Sequence, residues 1–140
     1  MLTAIKGPKN DVNNTLMNYA TKIAPVLIID CANWADPHTF VFTPPETLQK
    51  IYVMQAEIIY KLRDILKQLN GLKLNKILVT TFSLFDYGDD KENHDLFEHS
   101  WQLLQKLSAR HEIFVGVDLN QYKYAEKYSD KITKIGSIID

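Results

Sequence analysis

The uninterrupted apolar run Val26-Leu27-Ile28-Ile29, closed by Asp30, constrains the fold more than any other feature of the chain. A strand with one face in water alternates apolar and polar residues. A strand buried on both faces reads apolar throughout, the pattern of a parallel sheet covered by helices on both sides. Lys76–Phe82 and Glu112–Val117 repeat that pattern, Met1–Lys6 reads as a shorter strand, and Lys131–Ile135 as a last one. Longer amphipathic stretches separate these runs, the rhythm of βαβ units. The expectation is therefore an α/β fold: one domain over residues 1–140, with a mostly parallel sheet of about five strands flanked by about three helices.

Pro25 ends the first helical stretch. Thr43-Pro44-Pro45-Glu46 has the chemistry of a helix start, with Thr43 as cap and Glu46 placed for a capping box. Leu48, Ile51, Ile58, Leu62, Ile65 and Leu69 recur at helical spacing until Asn70-Gly71, which predicts one continuous helix. Asp86 to Asp95 reads as an acidic loop. Leu96, Phe97, Trp101, Leu104 and Leu107 mark one face of a third helix, and Tyr122–Tyr128 a short helical turn. Ligands of such sheets bind outside the carboxyl ends of the strands. Residues 7–15, 30–37, 80–86 and 118–121 are accordingly the candidate site.

The 140 residues suffice for a single sizeable core, and a hydrophobic content of 46% excludes a disordered chain. A net charge of -1, from 16 basic and 17 acidic residues, gives no general attraction for nucleic acid or an anionic membrane. Cys31 stands alone, which excludes an internal disulfide and fits a reducing compartment. No apolar run approaches the roughly 18 to 20 residues of a membrane span. The start of the chain lacks the basic-then-apolar layout of a signal peptide, so the cytoplasm is the expected compartment.

Gly7 follows the first strand and opens the way to a helix, as does the first glycine of the phosphate-binding motif G-x-x-x-x-G-K-[ST]. Counting from Gly7, the second glycine falls on Val12, the lysine on Asn13 and the magnesium-binding hydroxyl on Asn14, with Thr15 next. An asparagine offers a dipole where the phosphates need a full charge. Val12 brings a side chain where the backbone must wrap the phosphates. Lys9 has two readings, a substitute charge for a phosphate or a solvated surface lysine. Asn13 and Asn14 read as helix caps.

These segments, in this order, resemble the core of the RecA/RadA recombinase superfamily, including its KaiC-like branch. Leu2 to Leu16 is similar to the P-loop segment. Ile29 to Pro37 resembles the second strand, with Ile29, Asp30 and Pro37 matching, but the water-activating glutamate falls on Ala32. Lys76 to Phe85 is similar to the Walker B strand, whose aspartate falls on Thr80, followed by Thr81. Asn120-Gln121 resembles the phosphate-sensing Asn-Gln, and Tyr128 to Ile132 the late A-D-x-I/V segment. The resemblance implies a truncated RecA-like P-loop fold. The replacements at Val12, Asn13, Asn14, Ala32 and Thr80 imply a RadA-paralogue-like pseudoenzyme that needs no cofactor. Such a domain is expected to bind a protein partner or a second copy of itself, as an accessory to DNA repair or recombination. Two alternatives stand beside it: an atypical nucleotide-binding ATPase using Lys9 and Asp30, and a KaiC-like signalling or motility accessory. Asp30 is expected to bond neighbouring loop amides, and Asn120 and Gln121 to cap their loop.

His38, His94, His99 and His111 give no metal-ligand spacing with Cys31, and Ser83 and Ser100 lack the setting of a hydrolase nucleophile. The acidic segment 86–92 would repel DNA, so nucleic-acid affinity is expected to be weak. Tyr122, Lys123, Tyr124 and Lys127 read as a helix with one buried aromatic face, or as groups for single-stranded nucleic acid. Trp34, Phe40 and Phe42 either pack over the sheet edge or anchor a partner.

Overall fold

The computed structural model describes residues 1–36, 38–85 and 89–135. The matched proline Pro37 and the start of the acidic loop, residues 86–88, lie outside them. Six strands form one parallel sheet: β1 (Leu2–Lys6), β2 (Val26–Asp30), β3 (Ile51–Gln55), β4 (Lys76–Val79), β5 (Glu112–Val117) and β6 (Lys131–Lys134). Their spatial order is β3-β2-β4-β5-β1-β6. The register sets Ala4 beside Val115 and Ile29 beside Val79.

Helices α1 (Lys9–Ile23), α3 (Ile59–Gln68), α4 (Asp90–Leu107) and α5 (Tyr122–Tyr128), with the single turn α2 (Pro45–Leu48), fill the connections. From β1 the chain crosses towards β2, whereas β4 and β5 are reached by crossing the other way. Crossovers of one hand then place α1 on one face and α3, α4 and α5 on the other. The core divides accordingly. Val12, Leu16, Met17 and Ala20 of α1 pack with Val26, Ile28, Leu78 and Phe40. Leu62, Ile65, Phe97, Trp101, Leu104 and Tyr124 pack on Leu27, Ile29, Ile77, Val79, Ile113 and Val115. Consecutive strand residues thus serve opposite layers, which is why the runs are apolar throughout. No helix among the described residues is long and apolar enough to cross a membrane.

Two elements differ from expectation. The helix predicted from Pro45 to Leu69 is instead α2, strand β3 and α3. Leu48 and Ile58, placed on its buried face by spacing, are 43% and 53% exposed. Ile51-Tyr52-Val53 is β-branched and aromatic, and suits a pleated edge better than a helix. Thr43 does not cap α2, whose N-cap is Pro44 with no side-chain bond. The predicted loop through Asp95 is also shorter. Asp89 caps α4, its carboxylate accepting from the amides of Lys91 at 2.9 Å and Glu92 at 3.4 Å, so the acids that follow form a first helical turn.

Candidate functional site

The connections leaving β1 and β2 run over the α1 face, and those leaving β4 and β5 run over the other. The carboxyl ends of β2 and β4, side by side in the sheet, therefore form a crevice of the kind in which α/β proteins hold ligands. Asp30, Thr80 and the start of α1 meet there.

Only Gly7 and Pro8 separate β1 from α1. Residues 9–15, assigned by sequence to a phosphate loop and its helix start, are all helical, and Pro8 is the N-cap without a side-chain bond. Gly7 has a local reason to be glycine: a Cβ there would lie 2.4 Å from the carbonyl oxygen of Ile135. The end of β6 occupies that space, with the Ile135 amide bonded to the Lys6 carbonyl at 2.8 Å. Val12 is fully buried against Gly116 of β5, where a Cβ would stand 2.8 Å from its Cγ1. The valine is thus a packing residue between α1 and the sheet.

Asn13 and Asn14 do not cap the helix. Asn13 is fully buried, and its side-chain amide donates to Thr81 Oγ1 at 2.9 Å while its carbonyl accepts the Thr81 amide at 3.1 Å. This paired contact fastens α1 to the second residue beyond β4. Asn14 is exposed and accepts the Trp34 indole N–H at 2.9 Å, and the Thr15 hydroxyl donates to the Asp11 carbonyl at 2.8 Å.

Asp30, buried at the end of β2, organises the loop that follows. Its Oδ1 accepts from the amides of Ala32 at 3.2 Å and Trp34 at 3.1 Å and from the Thr80 hydroxyl at 3.3 Å. Its Oδ2 accepts from the Ala35 amide at 2.9 Å and from Gln55 Nε2 at 3.3 Å. Thr80 Oγ1 in turn accepts the Cys31 amide at 2.6 Å and the Ala32 amide at 3.2 Å. Asn33 takes a positive φ of 53°, which asparagine tolerates well, and this closes the loop round the carboxylate. Burial pushes the Cys31 thiol up, the Asp30 charge adds to that, and the Thr80 hydroxyl opposes it. Cys31 is therefore held as a thiol, not a nucleophilic thiolate. Ala32 contributes an amide to the loop and no proton-accepting side chain.

Above this web lies a cavity of about 430 Å³, lined by Lys9, Asp30, Ala32, Asn33, Gln55 and Glu57 among others. Gln121 is not part of it. Its side chain is fully buried on the α4 side, where Oε1 accepts the Trp101 indole N–H at 2.8 Å and Nε2 donates to Asn120 Oδ1 at 2.9 Å. Asn120 Nδ2 reaches the Ser83 carbonyl at 3.4 Å. Of the three aromatics after β2, Trp34 is half-buried against the α1 layer, Phe40 is buried in it, and Phe42 is 96% exposed. Tyr124 and Tyr128 of α5 are turned into the core. Among the described residues no group of three or more His, Cys, Asp or Glu gathers as a metal site.

Sequence reasoning missed Gly116 and Gln55, and it placed Thr81 in the candidate segment 80–86 without its pairing to Asn13. The available signal was the doubled Thr80-Thr81, two hydroxyls closing an apolar strand. Asp118, the first residue of the candidate segment 118–121, is buried with its Oδ1 unpartnered. No family model matches this chain, and no curated protein matches it significantly.

Proposed function

We propose that this chain is a degenerate RecA/RadA-like P-loop domain that has given up nucleotide chemistry and works in the cytoplasm as a protein-interaction module. The observation that carries the reading is the pairing of Asn13 with Thr81. In the resemblance, Asn13 stands where the phosphate-binding lysine belongs, and Thr81 follows the position of the metal-binding aspartate. Both side chains are spent on each other inside the fold. A triphosphate here would meet no lysine at residue 13, no acid at residue 80 for its magnesium and no base at residue 32 for water. Titrating Mg-ATP and Mg-ADP into the pure protein tests this, with neither heat nor a shift in melting temperature expected. Binding at micromolar concentration would overturn it.

The cavity beside Lys9 favours a second reading, a nucleotide held without a standard cradle. Two features weigh against it. Both Asp30 oxygens are already engaged by the loop, and Glu57 puts a further carboxylate in the lining where a phosphate would be repelled. The interaction surface on our reading includes Phe42, an exposed aromatic beside exposed Val41. Affinity capture with the full chain, repeated with Phe42→Ala, identifies the partner. A recombinase or repair ATPase would support the repair role, and a signalling or motility protein the KaiC-like alternative.

A further inference from the structure

The two edges of the sheet are built differently. β6 begins and ends on lysine, a residue that discourages strand pairing at an open edge. β3 reads Ile-Tyr-Val-Met-Gln, with no charge and no proline. Its backbone faces are fixed by its bonds to β2. The Lys50 carbonyl accepts the Val26 amide and the Ala56 amide donates to the Asp30 carbonyl, both at 3.0 Å. Even-numbered residues therefore address β2, and Ile51, Val53 and Gln55 turn their N–H and C=O groups outward. The side chains are not covered either: Tyr52 is 51% and Val53 40% exposed. The register places Val53 with Ile28 on the α1 face and Tyr52 with Leu27 on the α3 face, so the strand is open on both sides.

We propose that a second copy of this chain adds its β3 antiparallel to this edge, about a twofold axis at Val53, and continues the sheet across two molecules. The inference rests on the interaction-module reading and names its partner. Self-complementarity is what points to a copy. In this register Val53 opposes Val53, Ile51 opposes Gln55 and Tyr52 opposes Met54, so no like charges meet on either face and the apolar pairs gain cross-strand contact. Outward amides and carbonyls that now face water become a ladder.

The test is the solution mass of the full chain by sedimentation, joined to amide hydrogen exchange. The expected mass is twice the 16.2 kDa of one chain, with the amides of Ile51, Val53 and Gln55 protected. Val53→Lys would set two charges face to face at the axis and return the mass to that of one chain, with an unchanged far-ultraviolet spectrum and a melting transition that stays cooperative. A wild-type monomer at every concentration, or a Val53→Lys protein that remains dimeric, would overturn the proposal. If a wild-type monomer captures another protein and Val53→Lys loses it, the interaction reading stands and the self-pairing falls. A dimer that binds Mg-ATP would instead keep the pairing and remove the pseudoenzyme.

Discussion

Asn13 shows how a polar residue near the start of a helix becomes part of a core. With its amide satisfied by Thr81 it adds specificity to the packing of α1, and its loss leaves buried hydrogen-bonding groups without partners. Asn13→Ala is expected to destabilise the fold by about 1–3 kcal/mol, measured by urea unfolding. On the proposed reading Asn13→Lys should not confer nucleotide binding, since residue 13 is buried within a helix; calorimetry with Mg-ATP checks this. Gly116→Ala should cost a further ~1–3 kcal/mol through its clash with Val12, and Val12→Ala in the same chain should recover part of that loss. A double-mutant cycle with no coupling would remove the contact argument. Asp30 was legible from sequence, because a carboxylate at the end of a buried strand must find donors nearby, and loop amides are the nearest. Asn13 was not. Its local chemistry suits a cap, and its true partner is a residue in a remote part of the sequence, brought in by the sheet.

Elements were legible where burial was complete. β2, β4 and β5 announce themselves by apolar runs that no amphipathic helix would carry. β6, the other edge, was read as a strand although exposed, whereas β3 was lost because its Ile51 happened to fall seven residues before Ile58 in an apparent helical series. The start of α4 failed for a different reason. Acidic residues were read as solvated loop when they complement a helix N-terminus. Asp89→Ala should lower stability by about 1 kcal/mol, seen as a shift in the urea midpoint. On the same helix, the ordinary value of His99, 6.5, is pushed down by burial, then by Lys67 and Arg63 of α3. Its folded pKa lies below its unfolded one, so the unfolded chain binds more protons in between and stability rises with pH over that window. Stability is accordingly expected to decline as pH falls below about 6.5, and His99→Gln should flatten that decline in pH-dependent melting.

At the scale of the whole molecule, the sheet places its two most separated parts together: β1 lies between β5 and β6, both distant in sequence. Hydrophobic periodicity gives the elements and their class, but strand order depends on which crossovers the helices can make. The sequence therefore implied a parallel α/β domain without fixing that order. The near-neutral charge belongs to this scale as well. A net charge of -1 gives no general attraction to drive binding, so a single-stranded oligonucleotide should show no gel shift at about 0.15 M salt. A salt-dependent complex under those conditions would bring a nucleic-acid role back.

The two tryptophans stand on opposite layers of the sheet, one beside the Asp30 loop and hydrogen-bonded to a surface asparagine, the other sealed against Gln121. Their emission spectra should therefore differ, Trp34 red-shifted and open to quenchers, Trp101 blue and shielded. The chain thus carries its own pair of optical reporters, one for events at the crevice and one for loss of the core.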